Sequence, residues 1–141
     1  MRRQPKSSKT LHLTLWVAQV VLAGSFMWAG LAKLFQPVET IAAMWPWTGQ
    51  VPVALVKLTG IADVAGAIGL ILPSLLGNQA KLTPITALGV IVLMLCAGIF
   101  HIARGEASQI GVNVAFALIA AFIAWGRFKK APITQPESKL S

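Results

Sequence analysis

Asp63 stands in the middle of VALVKLTGIADVAGAIGLILP, residues 53–73, a stretch that is apolar apart from Lys57, Thr59 and Asp63 itself. A carboxylate in such surroundings needs a counter-charge, a route to water or a task in binding or proton transfer. Few other residues can serve it. Lys33 offers an ammonium, His101 an imidazole, and Gln109 and Asn113 two amides. Such a set can lock helices together through an ion pair and hydrogen bonds. It can equally bind a headgroup, a quinone ring or a proton in transit. The sequence shows no nucleophile–base pair, metal cluster or phosphate loop, so no catalytic residue and no metal site are assigned. Haem ligation is disfavoured, because His101 faces no second histidine at a sensible depth. Cys96 is the only cysteine, which excludes an internal disulfide, a CxxC pair and a cysteine-based metal cluster. It lies in an apolar run, where a free cysteine acts as a small hydrophobe.

The elements that must position these residues are membrane helices. Apolar residues make up 56% of the 141-residue chain and charged residues 11%, with mean hydropathy +0.73. A soluble domain carries about 25% charged residues. Four apolar segments, at about 11–34, 53–72, 84–102 and 107–128, each have the length that crosses a bilayer. They predict an all-α, antiparallel bundle of four transmembrane helices over residues 11–128, between a basic N-terminus (1–10) and a basic, polar, disordered tail (129–141). The first segment is longer than the apolar core of a cleaved signal, and Arg2-Arg3 lacks the residues that follow in a twin-arginine signal, so this segment is expected to stay as a span. Pro52, Pro73 and Pro84 fall at or near span ends, where proline punctuates helices.

Charge orients the bundle. Arg2, Arg3, Lys6, Lys9, Lys81, Arg127, Lys129 and Lys130 fall on the side that holds both termini, whereas the opposite loops carry Glu39, Arg104 and Glu106. The positive-inside rule makes both termini cytoplasmic. The formal charge of +8 therefore reads as membrane orientation; nucleic-acid binding is excluded, because no aromatic-and-basic binding stretch accompanies it. Trp16 and Trp125 fall at the cytoplasmic interface and Trp45 and Trp47 at the outer one, as an aromatic belt requires. Segment 38–45, VETIAAMW, fits a short helix on the outer surface.

Helical phase separates the two charges of the second span. Thr59, Gly60, Asp63, Gly66 and Ala67 share a small-residue face, opposite Ile61, Val64, Ile68, Ile71 and Leu72. Small faces pack against neighbouring helices and bulky ones meet lipid, so Asp63 is expected inside. Lys57, on the bulky face and about 9 Å nearer the outer interface, is expected to snorkel to the headgroups. Lys33, His101, Gln109 and Asn113 all fall in the outer half, and the inner half offers only Gln19 and a few hydroxyls. Together they describe a polar cup open to the outside. One reading pairs Asp63 with Lys33, with Asn113 and His101 completing a network that fixes the bundle; the other has the cup bind a ligand.

At these residues the chain resembles the DoxX-like family of small four-helix membrane proteins. AGLAKLFQP (29–37) is similar to the family's first-helix signature and LTGIADVAGAIGLILP (58–73) to the second, with Asp63 where Glu is usual. AGIFHIARGE (97–106) and NVAFALIAAFIAWGR (113–127) resemble the end of the third helix and the fourth. The resemblance covers roughly 11–128 and carries over Lys33, Asp63, His101 and Asn113. It implies a non-catalytic accessory subunit of a redox-associated membrane system, since relatives include a membrane subunit of a thiosulfate:quinone oxidoreductase and membrane partners of redox proteins. Quinone is the candidate cofactor, and the bilayer and a membrane or periplasmic protein are the expected partners. The expected location is the bacterial cytoplasmic (inner) membrane, crossed several times. A more distant relative, an assembly chaperone of nicotinic receptors, supports a competing scaffold role. The chain lacks the paired cysteines of vitamin-K-reductase-type bundles. Transport of a small solute or lipid is a third reading, weakened by the lack of an inverted repeat.

Overall fold

A computed structural model describes residues 7–133. The basic residues Arg2, Arg3 and Lys6 and the tail segment 134–141 lie outside the described residues. The chain is all-α. Helix α1 spans Ser7–Phe35, α2 Val38–Met44, α3 Val53–Leu76, α4 Leu82–Ala103 and α5 Ile110–Trp125. Four segments, Lys9–Phe35, Val53–Leu76, Leu82–Ala103 and Ala107–Lys130, are long and apolar enough to be membrane spans. In the last of these, α5 is flanked by a 3₁₀ turn at Ala107–Gln109 and a π turn at Gly126–Lys130. The short helix expected at 38–45 is α2, which buries Ile41.

The spans run beyond the expected boundaries. α3 continues through Pro73 and stops at Gly77, whose φ of 66° places it in the left-handed region. Proline in a last turn forfeits only the bond to the carbonyl four residues back, while a left-handed glycine ends a helix without steric cost. Pro84 sits in the first turn of α4, where its missing N–H has no helical acceptor to lose. Residues 129–131, expected to begin the tail, are ordered: Lys129 and Lys130 complete the π turn and Ala131 is buried.

Contacts fix the packing order. α1 lies along α3, α3 along α4, α4 along α5, and α5 returns to α1 by the loosest seam. The spans are antiparallel. Lys33 reaches Asp63 while Gln19 reaches Leu70 and Ser74, and Phe26 meets Phe116 while Arg127 meets Gln19. One end of the bundle thus carries the first and last described residues and the other carries α2. The core runs through Leu22, Phe26, Leu70, Ala87, Val90 and Ile123. The outward faces carry Ile61, Ile68, Val92, Leu95, Ile99 and Leu118, all exposed. An exposed apolar belt of this extent fits lipid as the surrounding solvent.

The phase argument for α3 agrees with the packing for its small face, because Gly60, Asp63 and Ala67 are buried, but Val64, expected to meet lipid, packs against Gly30 of α1. Helices α1 and α3 touch closely. A Cβ on Gly30 would lie 2.7 Å from Val64 Cγ2 and 2.8 Å from the Gly60 carbonyl oxygen, and one on Gly60 would lie 3.0 Å from Lys33 Cβ. No side chain larger than hydrogen fits at Gly30 without moving backbone.

Candidate functional site

The crossing at Gly30 and Gly60 brings the ends of two polar side chains together. Lys33 Nζ donates to Asp63 Oδ2 at 2.7 Å, with side chains only 13% and 6% exposed. Two tryptophans complete the ammonium's surroundings. Lys33 Nζ lies 5.6 Å from the Trp45 ring centroid and 5.7 Å from that of Trp47. Both rings come from the turn after α2, and Trp45 is held edge-on against Trp28 of α1 at 5.5 Å. The expected interfacial tryptophans Trp45 and Trp47 therefore also form a wall of the site. A cation over indole faces gains roughly 0.5–2 kcal/mol, so Lys33 is held by charge on one side and by two rings on the other.

These residues line a cavity of about 390 Å³. Lys33, Asp63, His101, Gln109 and Asn113 all contribute to its wall, from α1, α3, α4, the turn before α5, and α5. Phe26, Phe100, Phe116 and Met94 supply apolar surface. Cys96, expected as a small apolar filler, is exposed and also lines the cavity. The five polar residues of the expected cup thus line one cavity, but their hydrogen bonds are divided. His101 Nδ1 pairs with Glu106 Oε2 at 2.8 Å rather than with Asp63. Asn113 has a buried amide nitrogen with no partner among the described residues. Gln109 is exposed. The ion pair and the histidine are therefore separate units on one cavity wall.

Glu106 ties together two turns beside the cavity. Arg104 Nε donates to Glu106 Oε1 at 3.0 Å, and Arg104 Nη2 donates to Gln50 Oε1 in the turn before α3. Trp47 packs edge-on against Phe100 at 5.7 Å, and Arg104 lies 5.3 Å from the same ring. The α4–α5 turn and the tryptophan-bearing turn are thereby clamped to each other. The hydrogen bond from His101, with further help from Arg104, holds the Glu106 carboxyl below its ordinary pKa.

Lys57 bonds the end of a neighbouring helix. Its Nζ donates to the Leu34 carbonyl oxygen at 2.5 Å. The last carbonyls of a helix lack intrahelical donors and carry partial negative charge, so the end of α1 supplies a fitting acceptor for the ammonium.

The other end of the bundle holds a polar cluster that periodicity did not expose. Arg127 looked like one of several basic residues flanking the last span. It is 3% exposed and turns inward, and Nε donates to Gln19 Oε1 at 2.7 Å. Gln19 in turn donates to the Leu70 carbonyl at 2.6 Å and to Ser74 Oγ at 3.3 Å, and Ser74 pairs with Thr83 at 2.7 Å. The one visible signal is Gln19 itself, an amide in an apolar helix that had to bond something. Trp16 donates to His12 at 3.1 Å, and Trp125 is 45% exposed. Among the described residues there is no group of His, Cys, Asp and Glu able to hold a metal ion.

Comparison with curated proteins and with solved structures gives no match. The profile of the DoxX-like family matches residues 17–123, which include Lys33, Asp63, His101 and Asn113. With four membrane-length helices and a match over most of its length, the chain belongs to the DoxX-like family and is a multi-pass integral membrane protein.

Proposed function

We propose that this DoxX-like protein is a non-catalytic accessory subunit of a redox-associated membrane system, and that its cavity binds the ring of a quinone. The carrying observation is the juxtaposition of Lys33, paired with Asp63, and the rings of Trp45 and Trp47 in one cavity of about 390 Å³. Ligand sites typically combine apolar and aromatic walls with a few placed polar groups. A quinone is a flat apolar ring with carbonyl acceptors. The aromatic walls suit its faces, and the ammonium has hydrogens beyond the one bonded to Asp63. The location would be the bacterial cytoplasmic membrane, with the Lys33–Asp63 end outside because the opposite end carries most of the positive charge. The test is quinone titration of the purified protein, following tryptophan fluorescence. Saturable quenching that is weakened by Trp47→Phe and lost in a folded Asp63→Asn variant is expected. Linear, non-saturating quenching of the wild type, with no quinone extracted from the purified protein, sinks this reading.

A scaffold role has one observation of its own. Between α1 and α3 an apolar groove of about 530 Å³, lined by Val20, Ala23, Gly24, Ala67, Ile68 and Leu72 among others, faces outward. No atom lies within 4 Å of a Cβ built on Gly24, so another transmembrane helix could approach there. On this reading, deletion of the gene lowers the level of one specific membrane protein, and Gly24→Phe fails to restore it. Restoration by Gly24→Phe to the wild-type level counts against a scaffold.

A further inference from the structure

The cluster around Arg127 has more hydrogen-bond donors than acceptors. The guanidinium carries five N–H bonds. Nε donates to Gln19 Oε1, and Nη1 donates to the Ala131 carbonyl at 2.8 Å. Nη1 also lies 2.8 Å from His12 Nδ1, while Trp16 Nε1 lies 3.1 Å from His12 Nε2. Both contacts present a donor to the imidazole, yet a neutral imidazole has only one acceptor nitrogen. One of them therefore lacks a true acceptor. Nη2 is buried and has none among the described residues.

Charge shows the same imbalance. The sequence contains four acidic residues, Glu39, Asp63, Glu106 and Glu137. The first three lie in α2, mid-α3 and the α4–α5 turn, and Glu137 is outside the described residues. At the Arg127 end the described charges are Lys9, Lys81, Arg127, Lys129 and Lys130, all cationic. A buried cation without a counter-charge is costly. Arg127 also sits at the end of a membrane span, the depth of lipid headgroups.

We propose that Arg127 binds an anionic phosphate group at this end of the bundle. A phosphate has several acceptor oxygens on one small anion, and the guanidinium fork matches its geometry. Its oxygens take the Nη2 hydrogens together with the donor left over at His12. His12 is exposed, so the anion enters from that side after a small rotation of the guanidinium. Lys129 and Lys130, both exposed, add attraction without contributing the built site.

The test uses the full chain in a maltoside detergent, stripped of lipid. It is titrated with phosphatidylglycerol, with a galactolipid of the same acyl chains and with inorganic phosphate, reading bound adducts by native mass spectrometry and the thermal midpoint. Phosphatidylglycerol is expected to bind about tenfold more tightly than the galactolipid. Arg127→Gln should lose that preference, whereas Lys129→Gln with Lys130→Gln retains most of it. A response to phosphatidylglycerol alone assigns a lipid headgroup, and a response to inorganic phosphate as well shows that the phosphate suffices. Equal binding of the two lipids by the wild type overturns the proposal. So does a lysine double variant that loses as much as Arg127→Gln, which would mean diffuse surface attraction. It also falls if Glu137→Gln lowers the midpoint as far as Arg127→Gln, since the tail would then supply the anion. Should Arg127→Gln not fold, the wild-type lipid ratio decides by itself.

Discussion

Lys33 and Asp63 meet at 2.7 Å because the close approach of α1 and α3 sets Lys33 Cβ beside Gly60, and the long lysine side chain then reaches one turn along α3 to the carboxylate. Gly30 and Gly60 set the separation of the helices, and the separation sets the ion pair. Packing and polarity are thus coupled at one crossing, and the cavity wall inherits its charge arrangement from the absence of two methyl groups.

Breaking this pair from one side leaves an unpaired charge that is 13% or less exposed. Asp63→Leu or Lys33→Met alone should destabilise the bundle by about 3 kcal/mol, and the double variant should recover most of the loss. Thermal unfolding in detergent measures both. Additive losses in the double variant would show that the two residues act independently.

The glycines provide a matched comparison. Gly30→Ala places a methyl within 2.8 Å of the Gly60 carbonyl and should cost about 2 kcal/mol, because backbone must yield. Gly24→Ala, six residues earlier on the same helix, meets nothing within 4 Å and should change stability by less than about 0.5 kcal/mol. Unfolding midpoints of the two variants check the prediction, and similar losses would contradict the close approach.

The clamp between the two turns beside the cavity should respond to acid. The Glu106 carboxyl has its pKa lowered in the fold, chiefly by the His101 hydrogen bond. A lowered acidic pKa contributes stability that is fully present above the unfolded value and is lost as pH falls through the folded one. The turns bearing Gln50 and Arg104 should therefore stay closed at neutral pH and loosen below the ordinary glutamate value of 4.5. Hydrogen exchange of residues 46–52 against pH reads this loosening. Glu106→Gln should show faster exchange at neutral pH and lose the acid step; an unchanged acid step assigns it to another group.

At the opposite end, Gln19→Leu removes the acceptor that Arg127 Nε has among the described residues and the side-chain donor to the Leu70 carbonyl. Leucine is apolar and differs from glutamine by about one methylene in volume, so the loss reports chiefly polar satisfaction. It should amount to about 2–3 kcal/mol, while Gln19→Glu should fall between it and wild type, because a carboxylate pairs the cation but sets an acceptor oxygen against the Leu70 carbonyl. Thermal midpoints order the variants. A Gln19→Leu protein as stable as wild type would mean that water replaces the amide.

Sequence by itself determined the four spans, the short helix at 38–45 and the inward face of Asp63. Bilayer thickness dictates helix length, and the 3.6-residue period places small and bulky residues on opposite faces. Both are local properties. It also assembled the residues of the cup, because depth along a span follows from rise per residue. Only the tertiary structure decided their partners. Helix rotation and spacing put Lys33 on Asp63 across 30 residues of chain and Gln19 on Arg127 across 108. They gave His101 to Glu106 instead of Asp63 and turned Trp45 and Trp47 onto the ammonium. Lys57 shows the reason most plainly. The acceptor of its ammonium, the Leu34 carbonyl, lies at the end of a neighbouring helix, which the phase of its own helix does not reveal.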